Sequence, residues 1–123
     1  MDDGVLGTAI LAFSVIILAV AANSVTRMAA AGNLGRQNTA GFRTRHTTAS
    51  NEAWRAGHAA ALPLVSRVGW IAVLTVAASV TTQWWAGGQW GIPVGFAGLM
   101  AQSLALFLAG RRANRAAQAV SQD

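Results

Sequence analysis

The chain contains no cysteine, no lysine and no tyrosine, and it has a single glutamate. Without cysteine there are no disulfides, no thiolate nucleophile and no cysteine metal site, and the redox compartment stays open. Charged residues make up only 11% of the chain, against roughly 25% in a typical soluble domain. That deficit points to a lipid environment or an unusually dry core. The poor supply of acids and nucleophiles also argues against catalysis: no Ser-His-Asp set and no second glutamate stand at one level of the chain, so no catalytic residue is assigned. His46 and His58 are twelve apart with only Glu52 nearby. On a helix Glu52 and His58 are about 120° apart around the axis, a poor geometry for a shared metal. No metal or other cofactor is expected.

What is present is apolar. The chain has 123 residues, one domain at most, and 54% of them are hydrophobic. Residues 4–22, 68–86 and 92–110 are three uncharged runs. Nineteen helical residues reach roughly 28 Å, close to the roughly 30 Å hydrocarbon core of a bilayer. The pattern predicts an all-α integral membrane protein with three transmembrane helices. A soluble bundle of such helices would have no polar faces to meet water. The first helix is expected to continue to Ala31 and to stop at Gly32. A secretory signal peptide would need a positive start, and the chain reads Met1-Asp2-Asp3.

The flanks orient these spans. All nine basic residues are arginines: six lie within 27–67, and Arg111, Arg112 and Arg115 follow the third span. The turn at 83–91 carries no charge. The positive-inside rule therefore places segment 27–67 and the C-terminus in the cytoplasm and the N-terminus outside. Trp84, Trp85 and Trp90 fall in the outer turn, where amphipathic rings favour the headgroup level. The all-arginine, alanine-rich usage is associated with GC-rich bacterial genomes, and the expected location is a bacterial plasma membrane.

Polar and small residues within the spans are expected to face other helices. Gly91 and Gly95, then Gly98, Ala101, Ala105 and Ala109, give helix three a small-residue side that permits close backbone approach in lipid. That side could serve the other two spans or a partner chain. Thr75, Ser79 and Gln102 are candidates for interhelical hydrogen bonds, and no span holds a charge of the kind that marks a proton or ion path.

Segment 38–58, NTAGFRTRHTTASNEAWRAGH, is the most distinctive stretch. It opens in glycine- and asparagine-rich loop chemistry. It closes as a short helix, with Ser50 or Asn51 as N-cap and Glu52 in the first turn, where the helix dipole favours an acid. Trp54 and His58, four apart, share a face, so His58 is expected to pack on Trp54 or to bond a loop carbonyl. The helix runs toward the second span, and Pro63 marks a kink or a break. Arg67 can snorkel to the phosphates.

Gly41-Phe42-Arg43-Thr44, Thr47, Glu52-Ala53-Trp54 and His58 resemble the signature of the SdpI family of bacterial membrane proteins, which also lies between two spans. Asn38 stands where the family has an asparagine before the glycine, and Arg45 stands where members often have a proline. The resemblance implies a membrane binding protein that confers immunity to a membrane-active peptide toxin or signals its presence. Its output surface would then comprise Asn38, Gly41, Arg43, Thr44, Thr47, Glu52, Trp54 and His58. Arg43, Arg45 and Arg55 either contact lipid or other phosphates, which guanidinium forks match, or only set topology; Arg36 is read as a topology charge. The partners in view are membrane lipids, a peptide toxin, a cytoplasmic regulator or other subunits of a membrane complex, and not nucleic acid. The rival function is an accessory subunit of a larger membrane complex, or an anionic-lipid binder.

Overall fold

The computed structural model describes residues 2–36 and 40–121. Three helices run up, down and up: α1 (Asp3–Ala31), α2 (Asn51–Ala86) and α3 (Gly91–Ser121). All three are long and apolar enough to cross a membrane. Their outward surfaces carry the large apolar side chains, with Phe13 64%, Leu74 68% and Leu104 61% exposed. A soluble protein would bury these residues, whereas lipid solvates them.

Each boundary has a local cause. Asp2 accepts a hydrogen bond from the Val5 amide at 2.7 Å and caps α1. At the other end Gly32 takes φ +85°, and the Gly32 and Asn33 amides return to the carbonyls of Ala29 and Met28. This is the Schellman pairing, which needs a left-handed residue at that place. Ser50 caps α2 through the Ala53 amide at 3.0 Å. The helix expected as a short separate element before the second span is the first part of α2, which passes through Pro63 without a break. Pro63 lies on an exposed face. At 36 residues α2 is about 54 Å long, and its first half stands clear of the span at 68–86.

The central helix α2 packs against both others, and α1 and α3 meet less extensively. Because lipid removes the hydrophobic drive between helices, small residues and hydrogen bonds hold the bundle. A side chain at Gly91 would strike Thr8, one at Gly95 would strike Leu11, and one at Gly98 would strike Thr75. Ala109 is fully buried in a cluster with Ala61, Val65 and Ala113. The small side of helix three is therefore used largely inside the bundle, although Ala101 remains exposed.

Three amide side chains tie the helices at three levels. Near the 87–90 turn, the Gln83 carbonyl oxygen accepts from the Thr8 hydroxyl at 3.2 Å and from the Gly91 amide at 2.9 Å. In the middle, Gln102 is fully buried, and its amide nitrogen donates to the carbonyls of Val15 (2.9 Å) and Val68 (3.1 Å). Toward the arginine-rich end, Asn23 donates to Ala19 (2.9 Å) and across to Val65 (3.2 Å). Gln102 thus joins all three helices, as its polarity predicted. Ser79 instead bonds its own helix at Val76 (3.3 Å), and Thr75 serves as the packing partner of Gly98.

Candidate functional site: the arginine-rich cap

Residues 40–58 fold back over one end of the bundle. Gly41, with φ +103°, turns the chain so that Phe42 enters between the helices, against the cluster of Ala61, Val65, Ala109 and Ala113. A side chain at Gly41 would lie 2.8 Å from His58 Nε2 and 2.9 Å from Trp54 Cη2, so both the backbone angle and the space require glycine. After Phe42, two threonines close a turn on each other. The Thr44 amide donates to Thr47 Oγ1 at 2.8 Å and the Thr47 amide to Thr44 Oγ1 at 3.1 Å. Thr47 Oγ1 donates in turn to the Phe42 carbonyl at 2.6 Å, and Thr48 Oγ1 to the Thr44 carbonyl at 2.8 Å.

Trp54 and His58 anchor this turn to α2. Their rings pack at a tilt of 46° with centroids 4.2 Å apart, and the Phe42 ring lies 5.7 Å from that of His58. The Trp54 indole donates to the Leu34 carbonyl at 2.8 Å, which pins the stretch that follows α1. His58 is fully buried and satisfied at both nitrogens. Nε2 accepts from the Phe42 amide at 2.9 Å, so the ring proton sits on Nδ1, which faces the Trp54 carbonyl at 2.7 Å. Burial lowers the His58 pKa from its ordinary 6.5, and the bond to the Trp54 carbonyl offsets part of that shift. With both nitrogens engaged, His58 has no lone pair left for a metal. Among the described residues no three of His, Cys, Asp and Glu gather at one place.

The arginines divide by occupation. Arg43 extends over the Trp54 ring, 5.9 Å from its centroid, and donates to the Arg36 carbonyl at 2.6 Å. Arg55 lies against Gly32, at the C-terminal end of α1, where a cation complements the helix dipole. Arg45 is exposed. Arg36, given only a topology role from sequence, is a clamp: its guanidinium reaches Asn51 Oδ1 at 3.1 Å and the Thr48 carbonyl at 2.9 Å. It thereby joins the end of the first connection to the start of α2.

Of the residues singled out from sequence, Gly41, Arg43, Thr44, Thr47, Trp54 and His58 meet in one interlocked unit. Glu52 is exposed on the first turn of α2, and Asn38 lies outside the described residues. The expected surface role needs revising for three of them. Thr47 and His58 are fully buried and Trp54 is 1% exposed, so these side chains shape the cap and do not form its surface. Phe42 enters the sequence reading only as the apolar position of the motif and Arg36 only as a topology charge, and Gly57 has no role there. A side chain at Gly57 would come 2.8 Å from the Ala113 carbonyl and 2.9 Å from Thr47, so α3 and the cap turn both seat on that glycine. For Phe42 the motif's apolar position and an aromatic residue inside a polar loop were the available signals. Arg36 and Gly57 act through partners distant in sequence and carry none. No protein-family model, no curated protein and no solved structure matches the chain.

Proposed function

We propose that this is a bacterial plasma-membrane binding protein of the SdpI type, which confers immunity to a membrane-active peptide toxin or reports its presence. The observation that carries the reading is the convergence of the residues behind the resemblance. Gly41, Thr44, Thr47, Trp54 and His58 are spread over eighteen positions, yet each contacts another member of the set. A signature preserved for one shared structure would have this property. In this reading the cap faces the cytoplasm, the N-terminus lies outside, and the role is binding, not catalysis. The buried Thr47, Trp54 and His58 hold the shape, while exposed Arg43, Arg45, Glu52 and Arg55 meet a cytoplasmic regulator. An accessory-subunit role drew on the small side of helix three, and that side is mostly taken up within the bundle.

Two measurements test the proposal. Reporter fusions after Gly88 and after Asp123 should give opposite signals, and equal signals would remove the orientation. Cells lacking the chain should be killed more readily by membrane-active peptides from co-cultured neighbours, and the intact chain should restore survival. Unchanged killing would remove the immunity role.

A further inference from the structure

A second feature lies along α3, next to the cap, where Gly110 borders Phe42. Leu106, Phe107, Gly110, Arg111, Asn114, Arg115 and Gln118, with Thr44 of the cap as the facing wall, line an open pocket of about 580 Å³. Positions 107, 111, 115 and 118 recur at three and four residues, so they form one face of the helix. The pocket changes character along its length. Leu106 and Phe107 belong to the uncharged run at 92–110, at the depth of the acyl chains, and Phe107 is 63% exposed. Arg111 and Arg115 begin one turn later, beyond the end of that run.

We infer that this pocket binds one anionic phospholipid of the leaflet on the arginine-rich side. The phosphate would sit between Arg111 and Arg115, the glycerol and ester oxygens beside Asn114 and Gln118, and an acyl chain would run down Leu106 and Phe107. Charge complementarity carries the assignment. Both arginines are exposed, and no carboxylate pairs with either among the described residues. Arg43 and Arg55, the earlier candidates for phosphate, are engaged within the cap, whereas Arg111 and Arg115 open into a cavity. Guanidinium groups fit phosphate oxygens, and the apolar lower wall matches a lipid and not a soluble phosphate. The inference does not depend on the proposed immunity role, because it uses only α3 and one wall of the cap.

Native mass spectrometry of the full chain in mild detergent tests it, with dioleoyl phosphatidylglycerol, dioleoyl phosphatidylcholine and glycerol 3-phosphate as probes. Wild type should retain phosphatidylglycerol over phosphatidylcholine by roughly thirtyfold, the combined effect of two basic residues near an anionic group, and should not retain glycerol 3-phosphate. The double variant Arg111→Gln with Arg115→Gln should lose the preference. The charge-matched variant Arg27→Gln with Arg112→Gln, outside the pocket, should keep it. Equal loss in both double variants would reduce the effect to net charge, and an unchanged preference in the first would place the lipid elsewhere. Retention of glycerol 3-phosphate would make the pocket a soluble-phosphate site. Any of these three results overturns the inference.

Discussion

In the cap, neighbouring side chains are satisfied by one another. His58 bonds at both nitrogens, Thr47 and Thr44 exchange hydrogen bonds, and Trp54 reaches back to Leu34. In the spans, polar contacts are few and far apart, and Gln102 leaves its buried carbonyl oxygen without a partner among the described residues. The difference follows from the solvent each region displaces. Water competes for every polar group in the cap, so its hydrogen bonds must be complete to repay desolvation. Lipid offers no competitor, yet it offers no hydrophobic drive between helices either, and backbone approach at small residues does most of the work there. The cap is thus a polar core with a large aromatic centre, and the spans are a packed seam of glycine, alanine and short side chains.

Tryptophan gives the sharpest way to break this contrast, because it occurs buried in one region and lipid-facing in the other. Trp54→Ala should lower the unfolding free energy in detergent by about 3–5 kcal/mol, the usual range for a buried large aromatic. Trp70, 70% exposed on the second span, should tolerate alanine within about 0.5 kcal/mol. Thermal or denaturant unfolding followed by circular dichroism reads both. Equal losses would mean that the cap is no better packed than the lipid-facing surface.

Gly41→Ala comes next. It forces a side chain into a left-handed backbone and against the His58 and Trp54 rings, at about 1–3 kcal/mol. Hydrogen–deuterium exchange should rise in residues 41–50 and stay unchanged in 68–86. Loosening spread evenly over the chain would show that cap and spans unfold as one unit.

Acid should act on the cap alone. The His58 pKa is lowered in the folded state, so on acidification the unfolded chain takes up the proton first. The stability tied to the neutral ring is fully present above pH 6.5 and declines as pH falls from there toward the lowered folded value. Protonation would also aim an N–H at the Phe42 amide that now donates to Nε2. The melting temperature should fall between pH 7.5 and 5.5, and His58→Gln should flatten that part of the profile. A profile unchanged by His58→Gln would mean that the ring does not carry the pH dependence.

The smallest effect belongs to Gln102→Leu. The substitution removes two hydrogen bonds to helix carbonyls but also an orphaned oxygen. Interhelical hydrogen bonds in membranes average about 0.6 kcal/mol, so the loss should stay below about 1 kcal/mol in an unfolding titration. A loss near that of Trp54→Ala would place the spans under the same polar control as the cap.

The sequence alone determined the three uncharged runs, pointed to the stop at Gly32, narrowed the N-cap of α2 to Ser50 or Asn51, and placed Trp54 and His58 on one face. These depend on composition or on residues close together in the chain, where helix geometry fixes the neighbour. Thr75, Ser79, Gln102 and the small residues of helix three marked inward sides in the sequence, and the tertiary structure decided which neighbour each side meets. The spans are apolar almost all round, so hydropathy cannot separate a lipid-facing face from a helix-facing one, and only contact shows that Gly95 meets Leu11 while Ala101 meets none of the core. It also decided that Thr47, Trp54 and His58 lie beneath the cap surface, that Arg36 is a clamp, and that Arg111 and Arg115 line a pocket with Thr44. Each of those facts joins side chains from separate parts of the chain, and no local spacing encodes such a meeting.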